Sequence, residues 1–325
     1  MCAIDGTTMF APASATNVGR FGRQTGTHGG SGYPLLRLVA VVACGTRTII
    51  DAVFGPLSVG ETSMAPRLLR CLRSGMVLLA DRNFAVRDLI GQIADTGAHV
   101  VIRCKDDRKL PPVRRLGDGS WLSVLGAVTV RVLDAEITVT CEQTTRVVRY
   151  RLITTLTDPK AFPALELMRL YHLRWEIETT YLELKSTILG GRVLRARTPE
   201  GITQEVYALL ATYQALRLAM ADATDSDPAV APDRASFTVA LHAARDQIIH
   251  AAGVLAGTTV DLVGRIGRAV LADLLPKRRM RISPRVVKRA ISKHRAKGTI
   301  DRTNHHARID VKIISTADLT TGPGP

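Results

Sequence analysis

Cysteine is sparse and scattered. Five occur, at positions 2, 44, 71, 104 and 141, and no two lie within three residues of each other. With no CxxC or CxxxxC spacing, neither a zinc ribbon nor a disulfide scaffold is supported, and the thiols read as buried and reduced. Long apolar runs are lacking too. The longest near the start, LLRLVAVVAC (Leu35 to Cys44), is far short of the roughly 20 residues that span a bilayer. No basic-then-apolar pattern follows Met1, so a cytoplasmic protein with no membrane partner is expected. No GxGxxG or Walker loop is present. The eight histidines do not cluster except at His305-His306, which lack a partner at metal spacing and read as tail residues.

What the chain does have is positive charge and enough length to bury a core without staples. Over 325 residues, 44 Lys and Arg stand against 29 Asp and Glu, a formal charge of +15. That excess points to a polyanionic partner, with nucleic acid ahead of an acidic membrane surface. It is also uneven. Ten Lys or Arg and no acid lie between Lys277 and Lys297, and the remainder holds 34 basic against 29 acidic residues. The run is either a solvated tail or a sequence-independent phosphate grip. Val286, Val287, Ala290 and Ile291 add a thin apolar stripe at helical spacing.

Strand and helix patterns alternate in the first third. AIDGTTMF (Ala3 to Phe10), LLRLVAVVAC and RTIIDAVFG (Arg47 to Gly55) read as strands, the last two as a hairpin through Gly45-Thr46. Residues 11–34, rich in Gly, Ser and Thr, read as a flexible loop near the site. A helix over Glu61–Arg73, a buried strand MVLLA (Met76 to Ala80), a helix over Val86–Thr96 and a strand over His99–Cys104 follow, which argues for an α/β sheet. VTVRVLDAEITVT and RVVRYRLITTL then interrupt the rhythm as an all-β insertion. Pro159 and Pro163 precede a long helix, Ala164 to about Leu189, ended by Gly190-Gly191. The expected division is 1–105 and 158–199 as the core, 106–157 as the β insertion, 200–275 as a helical region and 276–325 as a basic tail.

The long helix carries the most specific pattern. At about 100° per residue, Tyr171, Arg174, Glu178 and Lys185 fall within about 60° of arc, beside an apolar stripe of Leu170, Leu173, Ile177 and Leu184. Glu176 and Glu183 fall on the far side, where they are expected to face water. Arg174 and Lys185 could simply be surface partners of Glu178 and its neighbours. Asp81, at the end of LLADRNF, could be a helix N-cap, and Asp5 in AIDGTT a simple Asp-Gly turn.

The spacing Tyr-x2-Arg-x3-Glu-x6-Lys resembles the Y-R-E-K signature of a subgroup of bacterial insertion-sequence transposases of the DDE type, the insertion-sequence-4-like group. AIDGTT, Asn17 with Phe21-Gly22, YPLLRLVAVVACGTR, LLADRNF and DGSWLS look like successive blocks of that subgroup, in its order, from Cys2 to about Lys312. The resemblance implies a ribonuclease-H-like mixed sheet with a β insertion before the catalytic helix and a helical C-terminal region. It implies Asp5, Asp81 and Glu178 as a triad holding two divalent cations, Mg²⁺ or Mn²⁺, because two hard ions at a scissile phosphate call for carboxylate oxygens. Tyr171, Arg174 and Lys185 would hold phosphates, and Trp121 is the candidate for stacking on a flipped base, with a packed core Trp as the alternative.

The expected partners are double-stranded DNA, as terminal inverted repeats and target, and a second copy of the chain on DNA, in the nucleoid. Relatives carry a helical domain ahead of the first Asp, whereas Met1 lies four residues before Asp5 here. The expectation is therefore a truncated copy with weak recognition of element ends. A catalytically inactive DNA-binding remnant and a metal-dependent nuclease without strand transfer are the other readings.

Overall fold

A computed structural model of the chain describes residues 1–24, 32–105, 107–141, 144–251, 262–276, 281–282 and 305–314. The chain opens with β1 (Cys2–Phe10), a short helix α1 (Ala15–Phe21) and the hairpin β2 (Leu35–Ala43) and β3 (Ile49–Pro56). α2 (Glu61–Met64) then tightens into a 3-10 segment, Ala65–Cys71, where Pro66 has no N–H to continue the α ladder. β4 (Val77–Ala80), α3 (Arg87–Asp95) and β5 (His99–Cys104) complete the first third. β6 (Arg114–Arg115), β7 (Trp121–Leu125), β8 (Val128–Cys141) and β9 (Thr144–Thr154) form the insertion. α4 (Ala164–Tyr171), α5 (Trp175–Leu182), α6 (Pro199–Asp225), α7 (Phe237–Ala251) and α8 (Leu262–Ala272) follow, with two late strands, β10 (Arg281–Ile282) and β11 (His305–Ile313).

The strands lie in the order β10-β11-β8-β9-β5-β4-β1-β2-β3. β1, β4 and β5 run parallel, β2 is antiparallel to β1, and β3, antiparallel to β2, runs in the direction of β1 again, an α/β ribonuclease-H-like sheet. The insertion continues this sheet. β9 pairs with β5 at Val101↔Thr154, and β8 pairs along the whole of β9.

Central strands buried on both faces need continuous apolar sequence, and theirs is continuous. One face carries Ala3, Leu38, Leu79 and Val101 beneath α4 to α8. The other carries Cys2, Ile4, Leu78, Ala80, Val100 and Ile102 against α3 and the 3-10 segment. Of the five cysteines, 2, 44, 71 and 104 are free thiols, the first two and the last of them buried.

Three expectations are corrected. Within the stretch read as loop, Ser14 accepts from the Asn17 N–H and starts α1, and Asn17, fully buried, donates to the Pro12 and Ala196 carbonyls at 3.2 and 3.0 Å. Residues 305–313, read as tail, form β11 along β8 from Ala307↔Cys141 to Ile313↔Ala135. The strict alternation Ala307, Ile309, Val311, Ile313 was the strand signal there. The remainder of the basic run 277–297, apart from Arg281–Ile282, lies outside the described residues, as does much of the 24–32 stretch.

The third correction concerns Glu176 and Glu183, which do not face water but are each 7% exposed. Arg47, in the β2–β3 turn with φ 59°, pairs with both, and Arg217 on α6 pairs with Glu183. The Tyr213 hydroxyl donates to Glu183 at 3.0 Å and accepts from the Arg217 Nε at 3.0 Å. Because α6 packs on what a helical wheel shows as the polar side, both faces of the catalytic segment are buried. Removing one partner of a buried ion network strands the other charges. Arg217→Ala should therefore cost about 3–5 kcal/mol in urea denaturation. Breaking the exposed Arg169–Glu166 pair should cost no more than about 1 kcal/mol. Equal costs for the two would refute the assignment.

Candidate active site

Side chains alternate between sheet faces, so Asp5 follows Ile4 onto the face covered by the catalytic helices, and Asp81 follows Ala80 onto the same face. In the parallel register Ile4 pairs with Ala80. The next positions along are Asp5, within β1, and Asp81, just past the end of β4, which brings two carboxylates 76 residues apart in sequence side by side. Asp81 is also the cap its sequence suggested: its Oδ1 accepts from the Asn83 N–H at 2.8 Å.

The catalytic segment is not one α-helix. α4 ends at Tyr171, a 3-10 turn spans His172–Arg174, α5 spans Trp175–Leu182, and a π-helical turn spans Glu183–Ile188. Gly190 and Gly191, both with positive φ, then end it. Short non-α turns of this kind re-aim side chains and recur at functional sites. Here Tyr171, Arg174 and Lys185 reach β1 or β4, and Glu178 is tied to Arg174. The Tyr171 hydroxyl donates to the Ala80 carbonyl at 3.1 Å. The Arg174 Nη1 donates to Asp5 Oδ2, and its Nη2 to Glu178 Oε1, both at 3.0 Å. The Lys185 Nζ donates to Thr7 Oγ1 at 3.1 Å.

Tyr181, which sequence reasoning passed over, joins them. Its hydroxyl donates to the Asp5 carbonyl at 2.6 Å and accepts from the Ala40 N–H at 3.1 Å, between two paired residues of β1 and β2. At about 280° on the same wheel it sits beside the signature stripe, which was the available signal.

Electrostatics at the site are unbalanced in both signs. Burial, against the pull of the Gly6 N–H and Arg174 and with the charges of Asp81 and Glu61 nearby, pushes the Asp5 carboxyl up to about 6. Burial likewise pushes Tyr171 up to about 12 and lowers Lys185. The Arg174 Nε is buried and, among the described residues, has no hydrogen-bond partner.

Trp121 does not join this group. It is 3% exposed on β7, its indole N–H donates to the Leu110 carbonyl at 3.0 Å, and Arg151 lies over its ring. A buried ring with no open face cannot stack on a base, so the core alternative holds for it.

The transposase DDE domain family model matches residues 1–214, which take in β1, β4, the insertion and the whole catalytic segment. The chain belongs to the DDE transposases. It is similar to the transposase InsG of insertion sequence element IS4 from Escherichia coli (strain K12), with 27% identity over 297 residues, covering 89% of this chain and 67% of that protein. As a member of this family it is a phosphoryl-transfer enzyme that acts on DNA. Among the described residues, no helix of this transposase is long and apolar enough to cross a membrane.

DDE transposases depend on divalent metal, and the donors at this site suit one: hard carboxylate oxygens, with Asp5 desolvated by burial and Asp81 near it. Among the described residues no three such groups yet converge within reach of a single ion, since the Arg174 guanidinium stands between Asp5 and Glu178.

A carboxyl with a folded-state pKa of about 6, against the ordinary 3.9, holds its proton longer folded than unfolded. Its contribution therefore favours folding below about pH 4 and is lost as pH rises through about 6. In EDTA, Asp5→Asn should gain stability relative to wild type between pH 4 and pH 7, by up to about 3 kcal/mol. Thermal denaturation at the two pH values checks this, and a pH-independent difference would contradict it.

Proposed function

We propose that this transposase nicks DNA at the ends of an insertion sequence and joins the freed 3′-hydroxyl to target DNA, with Asp5, Asp81 and Glu178 holding two Mg²⁺ ions. The observation that carries the reading is Arg174, which links two of the three carboxylates while keeping a buried N–H unpaired. An unmade buried donor costs about 1–3 kcal/mol, and a phosphate oxygen is the partner that DNA would bring.

In the first step a water oxygen attacks the phosphorus at the element end and the bond from phosphorus to the 3′-oxygen breaks. That oxygen leaves as the 3′-hydroxyl, and the flanking strand keeps the phosphate. In the second, the 3′-hydroxyl attacks a target phosphorus, forming one phosphodiester as another breaks. The metal ions, when bound, lower the cost of deprotonating the attacking oxygen and of charge on the leaving one. Arg174 offers a planar fork to phosphate oxygens and Lys185 a point charge from beside Thr7. Tyr171 and Tyr181, by bonding to the Ala80 and Asp5 carbonyls, hold the end of β4 and the middle of β1 against the helix.

The DNA partners in this reading are terminal inverted repeats and target duplex within the nucleoid. The basic run 277–297 adds sequence-independent backbone contacts. Joining two ends requires two active sites, so a homodimer forms on DNA. The division into core, insertion and helical region is carried forward as part of the same proposal, with residues 305–313 joining the insertion's strands as β11.

Asp81→Ala and Glu178→Ala should each lower Mg²⁺-dependent nicking and strand transfer by about 10²–10³ or more, measured on a labelled duplex carrying an element end. Cleavage that persists unchanged in Asp81→Ala would sink the triad. Cleavage without joining in the wild type would select the nuclease reading, and neither activity the inactive remnant.

A further inference from the structure

The face of the sheet away from the catalytic helices carries a carboxylate that the triad does not use. Glu61, the first residue of α2, lies over Gly6, the residue after Asp5. A Cβ on Gly6 would meet the Glu61 Oε1 at 2.3 Å, so the carboxylate occupies the space where a side chain would stand. The Gly6 N–H in turn donates to Asp5 Oδ1 at 2.8 Å. The other carboxylate oxygen, Oε2, accepts from the Asn83 side-chain amide at 2.7 Å. Asn83 is also the residue whose backbone N–H caps Asp81 at 2.8 Å. Arg37 balances the charge loosely, its Nε 3.8 Å from Glu61 Oε1 and its Nη1 donating to the Val59 carbonyl at 2.7 Å.

One side chain thus spans the segment leaving Asp5 and the segment leaving Asp81. The β1–β4 ladder ends at Ile4↔Ala80, where β4 stops while β1 runs on to Phe10. Nothing in the β1–β4 ladder fixes their separation past that point. Yet a pair of aspartates can share a metal ion only if the separation is held.

We propose that Glu61 is a positioning residue for the aspartate pair: through Gly6 and Asn83 it sets the spacing of Asp5 and Asp81 and so tunes divalent-metal affinity, without itself touching substrate. The inference rests on the triad reading above. Glu61 acts through its acceptor oxygen, so glutamine, which keeps an acceptor for Asn83, preserves the function and alanine does not. Residues that hold metal ligands in place typically change affinity by about 10–100-fold when lost.

The test is Mn²⁺ binding to the full chain without DNA, read by electron paramagnetic resonance of the free ion. Glu61→Ala and Asn83→Ala should each weaken binding about tenfold, their double variant no further, and Glu61→Gln by less than about threefold. Additive losses, or a Glu61→Gln as weak as Glu61→Ala, would overturn the clamp. If Glu61→Ala does not fold, Asn83→Ala decides by the same criterion. Asp81→Ala separates the two readings. Lost binding there with unchanged Glu61→Ala and Asn83→Ala refutes the clamp alone, and unchanged binding in Asp81→Ala refutes the triad and the clamp with it.

Discussion

Arg174 reaches out of the junction between a 3-10 turn and α5 to grip Asp5 on β1 with one nitrogen and Glu178, one turn along its own helix, with another. Its side chain is 11% exposed and that of Asp5 18%, so this ion pair lies where solvent screening is weak and geometry matters. The other contacts between helix and sheet are arranged around it: Tyr171 on Ala80, Tyr181 on Asp5 and Ala40, Lys185 on Thr7. For a residue on a regular α-helix to serve each of these, the helix would have to track a twisted strand, which 3.6 residues per turn does not do for long. The 3-10 and π turns on either side of α5 take up that mismatch.

Depth of burial follows from the same requirement. A helix that must present Arg174 and Glu178 to β1 cannot also be free to rotate, and it is fixed from behind by Glu176 and Glu183 through Arg47 and Arg217. Buried ion pairs are weak evidence of stability but are directional, and here they connect the β2–β3 turn, the catalytic segment and α6. Tyr213 completes the group, with its hydroxyl within 3.3 Å of the Thr180 hydroxyl as well.

How much of this was legible varies with the kind of interaction that decides it. Strands buried on both faces write themselves as unbroken apolar runs, which is why β2, β4 and β5 stood out. The signature of Tyr171, Arg174, Glu178 and Lys185 was legible because one continuous helical segment holds it, although 3-10 and π turns interrupt its α geometry. The adjacency of Asp5 and Asp81 was not visible in spacing, since it depends on which strands pair, and the resemblance supplied it. Glu176 and Glu183 misled because a wheel sorts residues by polarity and cannot show two arginines from distant segments. The strand β11 was overshadowed by the basic run before it, although Ala307 to Ile313 alternate strictly. Trp121 was placed by analogy of position in the insertion, whereas the pairing of β7 with β8 turns it into the core.

The site carries two opposite local excesses. On one side, Asp5 is pushed toward its protonated form by burial and by the carboxylates of Asp81 and Glu61. On the other, Lys185 is partly desolvated with no carboxylate bonded to it among the described residues, and Arg174 keeps a buried Nε–H unpaired. Arg174 balances Asp5 and Glu178 only in part, since its Nε–H stays unpaired and Lys185 meets a hydroxyl, whereas Glu176, Glu183, Arg47 and Arg217 form a closed network on the far side of the same segment. The incomplete pairing costs stability and leaves Asp5, Asp81 and Glu178 on one side and donors of Arg174 and Lys185 on the other. In the proposed function, a divalent ion held by the carboxylates and a backbone phosphate held by Arg174 and Lys185 would neutralise each other. On that proposal the binding of metal and of DNA would be cooperative, and the polyanion to which the overall charge points would meet a few specific donors at the site as well as the basic run.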